Sequence, residues 1–114
     1  KLQIVLNRAI LISDIDFSVV CSYRDEDTQE KAFAENKSKA HFLQSPHNYK
    51  ASLAVDVYPY PVSWDDEGQK DFNYLGGLIT ATGHMMNVPI TWGGTWKNFL
   101  DLPHFELTNW KEII

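Results

Sequence analysis

Between Leu53 and Tyr58 the chain alternates without a break, with Leu53, Val55 and Val57 on one side and Ala54, Asp56 and Tyr58 on the other. A period of two is the pattern of a strand with one buried face, so the aliphatic side belongs to a core and Asp56 becomes a carboxylate on the opposite face. Pro59 and Pro61 are expected to end this strand. Ser63, three residues before Asp66, reads as the N-cap of the next helix. That helix is the longest of the chain: Phe72, Leu75, Ile79 and Met86 keep a helical rhythm through to Asn87, and Pro89 prevents its continuation.

The remaining segments are shorter. Leu2, Val5, Leu6, Ala9 and Ile10 recur at helical spacing and predict an amphipathic helix from Leu2 to Ile12. The β-branched and aromatic run Phe17 to Cys21 reads as a strand leading into a turn at Ser22-Tyr23-Arg24. A second helix follows over Asp25 to Asn36, with acidic residues at its start and Lys37 and Lys39 beyond its end, as the helix dipole favours. Ile90-Thr91-Trp92 and His104-Phe105-Glu106-Leu107 are two more short strands, separated by a Gly-Gly and aromatic loop. Connections this irregular in 114 residues do not suit a doubly wound sheet. The expected class is α+β, a small antiparallel sheet with flanking helices. No repeat, low-complexity tract or linker divides the chain, so residues 1–114 are read as one domain.

Composition excludes several function classes. A formal charge of −5 and the lack of a basic run interleaved with aromatics argue against nucleic acid as a partner. No stretch approaches the roughly 20 apolar residues that span a bilayer, and Lys1 to Ile10 mixes polar and apolar residues. Neither membrane insertion nor a standard signal peptide is expected. Cys21 is the only cysteine, so no intrachain disulfide can form, and within its apolar run it reads as a small buried hydrophobe without chemistry.

His47, Asp56 and His104 offer imidazole nitrogen and carboxylate oxygen, the donors that suit zinc, and three protein ligands leave a fourth position for water. Spacing alone does not select these three from the chain's other polar residues. The surrounding residues do. Ser45-Pro46-His47-Asn48-Tyr49-Lys50-Ala51-Ser52-Leu53-Ala54-Val55-Asp56 resembles the Ser-x-His-x-x-Gly-x-Ala-x-Asp motif of the D-alanyl-D-alanine carboxypeptidase family of zinc peptidases, which includes phage endolysins. Trp92-Gly93-Gly94-Thr95-Trp96, followed by Phe99-Leu100-Asp101-Leu102-Pro103-His104-Phe105-Glu106-Leu107, is similar to the closing motif of the phage L-alanyl-D-glutamate endopeptidase branch. Ser22-Tyr23-Arg24 with Gln29 also resembles the family's Arg-containing turn before a helix, so the likeness runs from about Phe17 to Leu107. One departure stands out: Lys50 occupies the place of the motif's Gly, and His47 and Asp56 lie nine residues apart instead of seven. An insertion of two leaves the alternation of the following strand intact while changing the loop.

The resemblance implies that His47, Asp56 and His104 ligate Zn2+ and that Asp101 is the catalytic acid/base. A zinc-bound water has a pKa of about 7, and a carboxylate beside it can take its proton and pass it to the leaving amine. Glu106, two residues from His104 and on the same strand face, is either a competing base or a partner that orients an imidazole. Arg24 either stabilises the anionic transition state, or a substrate carboxylate, or pairs with Asp25 or Asp27 at the surface. Ser45 either hydrogen-bonds around the metal or caps a turn. Among Trp64, Trp92, Trp96 and Trp110, Trp96 is the best candidate for a substrate groove because it sits in the Gly-rich loop. His41 is read as a loop residue, and His84 as a cation at a helix C-terminus.

At the level of function, the resemblance implies a phage-type endolysin. It would hydrolyse the L-alanyl-D-glutamate bond of bacterial peptidoglycan stem peptides so that host cells lyse. Such an enzyme is expected to wait in the host cytoplasm until it reaches the wall, to act as a monomer, and here to lack a separate wall-binding domain. The rivals are a D-alanyl-D-alanine carboxypeptidase of wall metabolism and a non-catalytic zinc-binding domain of the kind found in hedgehog signalling proteins.

Overall fold

The computed structural model describes residues 1–21, 23–49, 53–98 and 100–113. In chain order the elements are α1 (Leu2–Ile12), β1 (Asp16–Cys21), α2 (Glu26–Ala34), a 3-10 turn (Pro46–Asn48), β2 (Ala54–Tyr60), α3 (Asp66–Met85), β3 (Ile90–Trp92), a second 3-10 turn (Gly93–Thr95), β4 (His104–Leu107) and α4 (Trp110–Ile113). The strands form one sheet in the order β1-β2-β4-β3, and every neighbouring pair is antiparallel. This is the α+β architecture with a small antiparallel sheet. Ser22, Phe99 and the inserted Lys50-Ala51-Ser52 lie outside the described residues.

Alternation along the strands separates two environments. Val55 and Val57 of β2 and Phe105 and Leu107 of β4 join Leu2, Val5, Leu6 and Ala9 of α1 and Leu75 and Ile79 of α3 in the core. Removing these side chains from water is the main driving force of the fold, roughly 1.5–3 kcal/mol for each large aliphatic or aromatic group. The intervening residues Asp56, His104 and Glu106 are left on the other face.

Several local expectations need correction. β2 does not stop at Pro59 but runs through it to Tyr60. Val57 donates its N–H toward β4, to the carbonyl of Pro103. Two residues on, Pro59 would point its missing N–H the same way, past the last β2–β4 pair at Asp56 and His104, so no ladder bond is lost. The N-cap of α3 is Asp65, not Ser63: its carboxylate accepts the N–H of Gly68 at 3.0 Å, while the Ser63 hydroxyl donates to Asp65 at 2.7 Å. A Cβ on Gly68 would fall 1.7 Å from the Ser63 carbonyl oxygen, so the chain can fold back onto the first turn of α3 only over a glycine. Cys21 is half-buried at the end of an edge strand whose Val19 and Val20 are exposed, so it is not a core hydrophobe. The short helix α4 carries no apolar period and went unanticipated.

Candidate metal centre

Strand register brings the first two candidate ligands together. Asp56 lies directly opposite His104, and Ala54 opposite Glu106. The flanking bonds, Val57 N–H to Pro103 O and Leu107 N–H to Leu53 O, both 2.9 Å, mark these as non-hydrogen-bonded pairs, whose side chains approach most closely. Two polar residues forty-eight positions apart thus share one patch of sheet.

His47 arrives from the 3-10 turn, and that turn is held by its own cap. The Ser45 hydroxyl oxygen accepts the N–H of His47 at 3.2 Å, and the Asn48 side-chain oxygen accepts the N–H of Ser45 at 3.2 Å. Ser45 therefore acts on His47 as a turn cap. Asn48 also donates to the Arg24 carbonyl at 2.9 Å and to Gln29 Oε1 at 3.1 Å, and the Arg24 N–H donates to the His47 carbonyl at 2.7 Å. Gln29, with no exposed surface, is the hub: its Oε1 also accepts from Arg24 Nη1 at 2.9 Å, and its Nε2 donates to Ser38 Oγ and the Ala40 carbonyl. A buried amide satisfied on every side fixes both the turn and the guanidinium. Arg24 Nη2 consequently sits 3.8 Å from Asp56 Oδ2, facing the site instead of pairing with Asp25 or Asp27. The Asp25 carboxylate is occupied as the N-cap of α2.

One ligand atom from each of His47, Asp56 and His104 lies within 4.8 Å of the others. His47 Nε2 is 3.0 Å from His104 Nδ1 and 3.2 Å from Asp56 Oδ1, and His104 Nδ1 is 3.5 Å from the same oxygen. Asp56 Oδ1 is buried and, although near both nitrogens, has no aligned hydrogen-bond partner among the described residues. A desolvated carboxylate oxygen without a bond is costly, and a cation between the three atoms would satisfy it. The donor set and the orphaned oxygen fit zinc. Glu106 Oε1 lies 2.7 Å from His104 Nε2, which leaves Nδ1 as the free ligand atom of that ring. Glu106 Oε2 accepts the Trp110 indole N–H at 3.0 Å, so both carboxylate oxygens are engaged, one of them by an imidazole.

Electrostatics agree with the geometry. Burial opposes a charge on His47 and is the largest single influence, yet the adjoining Asp56 carboxylate and Cys21 thiol lift its pKa to about 9. His104 is also raised: burial is outweighed by Asp56 and Glu106. For Asp56, burial pushes upward but the two imidazoles win and hold the carboxyl well below its usual range. Asp101 moves the other way, raised first by burial and then by the Asp56 charge. It is a half-buried carboxylate beside the cluster, its backbone fixed by Asp101 N–H to Gly93 O and His104 N–H to Asp101 O, each 3.1 Å.

A cleft of about 500 Å³ opens over this cluster, bounded by Arg24, Ser45, His47, Trp96, Asp101, His104 and Glu106 on one side and by residues 37–40 and 108–112 on the others. Trp96 stands with its ring 5.0 Å from that of His104 and lines the cleft. Trp110 also lines the cleft, whereas Trp92 stacks on Phe105 and donates to the Leu102 carbonyl, and the exposed Trp64 stacks on Phe72. His41 pairs with Glu30 at the surface, away from the cluster. His84 lies exposed in the last turn of α3. Sequence reasoning missed two contributors. Cys21 lies opposite Asp56 in the sheet and its thiol hydrogen-bonds His47, which lowers its pKa. The Trp110 bond to Glu106 had no local signal beyond the separation of four residues.

Residues 38–107 match the M15 peptidase family described as D-alanyl-D-alanine carboxypeptidase, and the chain belongs to that family. It is similar to the peptidoglycan L-alanyl-D-glutamate endopeptidase CwlK of Bacillus subtilis (strain 168), at 24% identity over 111 residues, covering 90% of this chain and 66% of CwlK. The fold is similar to the crystal structure of the Serratia marcescens L-Ala D-Glu endopeptidase ChiX, with a TM-score of 0.82 and 28% identity, covering 99% of this chain and 82% of that one.

Proposed function

We propose that this chain is a zinc-dependent endopeptidase that hydrolyses the L-alanyl-D-glutamate bond of bacterial peptidoglycan stem peptides. The observation that carries the reading is the convergence of His47 Nε2, Asp56 Oδ1 and His104 Nδ1 beside a cleft that His47 and His104 line, with Oδ1 buried and without an aligned hydrogen bond. The choice of bond is supported by the two similar endopeptidases. An endolysin role, with lysis of a host cell by a single monomeric domain, is supported by the likeness of Trp92 to Leu107 to the phage branch.

In this reading His47, Asp56 and His104 hold the metal. Bound there, zinc supplies Lewis acidity, bringing the pKa of a water ligand to about 7 and polarising the scissile carbonyl. Asp101 takes the proton of the attacking water and delivers it to the leaving amine; its raised pKa makes it the stronger base for the first transfer. Arg24, held by Gln29, faces the negative charge that grows on the carbonyl oxygen or a carboxylate of the substrate. Glu106 keeps the His104 ring in register, and Trp96 offers an aromatic wall to the peptide.

The family's description favours one second reading, release of a terminal D-alanine by a D,D-carboxypeptidase. Mass spectrometry of purified peptidoglycan digested by the zinc-loaded protein, beside a chelator-treated control, separates the two. New N-terminal D-glutamate ends that vanish with chelator are expected. Released D-alanine would establish the second reading, and an unchanged wall would refute both.

A further inference from the structure

Trp110 lies three residues beyond the family match, at the start of α4, and is the one buried residue of that short helix. A buried indole N–H needs an acceptor. Here it finds a carboxylate oxygen, Glu106 Oε2 at 3.0 Å, while the other oxygen of the same group lies 2.7 Å from His104 Nε2. Both bonds are charge-assisted and together pin the carboxylate at two points. With a single anchor the carboxylate could turn about its last torsion, and the imidazole it orients could turn with it. The indole ring also packs against Tyr49, with centroids 6.1 Å apart, and Tyr49 closes its own loop by donating to the Leu43 carbonyl at 2.8 Å. Tyr49 stands two residues after His47, and Glu106 two after His104. One side chain therefore braces both segments that supply the imidazoles.

We infer that Trp110 is a positioning residue of the metal centre: through Glu106 it fixes the His104 ring with Nδ1 facing His47 and Asp56, and through Tyr49 it steadies the turn that carries His47. An indole serving only as core filler would be replaced by phenylalanine without consequence for metal binding. A residue acting through Glu106 would not. Loss of such an outer hydrogen bond typically weakens metal affinity about 10- to 100-fold.

The test is zinc affinity, measured by competition with a chromophoric chelator on metal-stripped protein, for wild type, Trp110→Phe, Glu106→Gln and the double variant. Trp110→Phe is expected to bind zinc about tenfold more weakly, and to cost less than about twofold once Glu106→Gln is present, because the path is then already broken. Wild-type affinity in Trp110→Phe, or an undiminished loss in the Glu106→Gln background, overturns the inference. A measurement on the wild type alone guards against a variant that fails to fold: the Trp110 indole N–H resonance of ¹⁵N-labelled protein should move when zinc is added, and a stationary resonance also overturns it. The inference rests on the metal reading proposed above. A wild type that takes up no zinc overturns that reading and this inference together, whereas equal uptake by wild type and Trp110→Phe overturns this inference alone.

Discussion

Gly93 gives a sharp test of how Asp101 is held. A Cβ built on Gly93 would lie 2.3 Å from the Asp101 carbonyl oxygen, 3.0 Å from its Cβ and 3.1 Å from its carbonyl carbon. Ordinary carbon contacts begin near 3.5 Å, so Gly93→Ala must drive the Asp101 segment back by about 1 Å. The obstacle is backbone, which cannot swing aside as a flexible side chain would. Two bonds fix Asp101 in place, its N–H to the Gly93 carbonyl and its carbonyl from the His104 N–H, both 3.1 Å, and the displacement strains both. Misplacing a reacting group by about 1 Å costs on the order of 100-fold in rate. Gly93→Ala should therefore lower kcat on a stem peptide about 100-fold, since the three atoms nearest the new methyl all belong to Asp101. In an Asp101→Ala background the same substitution should cost little more. Steady-state kinetics of the four proteins, with circular dichroism to confirm folding, provide the assay. A folded Gly93→Ala enzyme with wild-type kcat would refute the claim that Asp101 placement limits the reaction.

Other expectations follow from the same geometry. Asp101→Ala should retain zinc yet lose about 100- to 10,000-fold in rate, checked by metal analysis beside peptide hydrolysis; unchanged activity would remove Asp101 as the acid/base. Because His47 and His104 must both be neutral to bind a metal and both pKa values are raised, that of His47 to about 9, zinc affinity should rise at least about tenfold per pH unit between pH 6 and 8, as competition titrations at fixed ionic strength would read. In the metal-free protein the sign reverses: the raised pKa of His47 stabilises the fold fully below its ordinary value of 6.5, and that contribution is lost as pH rises through about 9, which urea unfolding of chelated protein can follow. Gln29→Ala removes the fully buried hub and leaves the Ser38, Ala40, Arg24 and Asn48 groups without their partner, so unfolding free energy should fall by about 3 kcal/mol in urea titrations.

The parts of the molecule governed by period were legible in the sequence. Alternation from Leu53 to Tyr58 places Leu53, Val55 and Val57 on the core side, and the observed core contains all three, while a period of two in His104-Phe105-Glu106-Leu107 puts His104 and Glu106 on one face. The same alternation put Asp56, His104 and Glu106 on polar faces, but only pairing could show that the faces coincide, and register is a property of two strands that no single segment encodes. Position within a sheet was equally hidden. Pro59 reads as a terminator because its missing N–H would break a ladder, yet β4 has already ended beside it. Cys21 looked like core because its neighbours are apolar, whereas edge placement exposes that run and sets its thiol against His47. Trp110 sits in a helix of four residues, too short to carry a period, so its bond to Glu106 emerged only with tertiary structure.

The measurement that bears most directly on the central claim is X-ray absorption at the zinc edge of protein loaded with one equivalent of the metal. The account predicts a shell of nitrogen and oxygen at about 2.0–2.2 Å with the multiple scattering of two imidazoles, lost when His47 or His104 is replaced. A sulfur neighbour at about 2.3 Å, which only Cys21 or a methionine could supply, or a spectrum indifferent to both histidines, would contradict it.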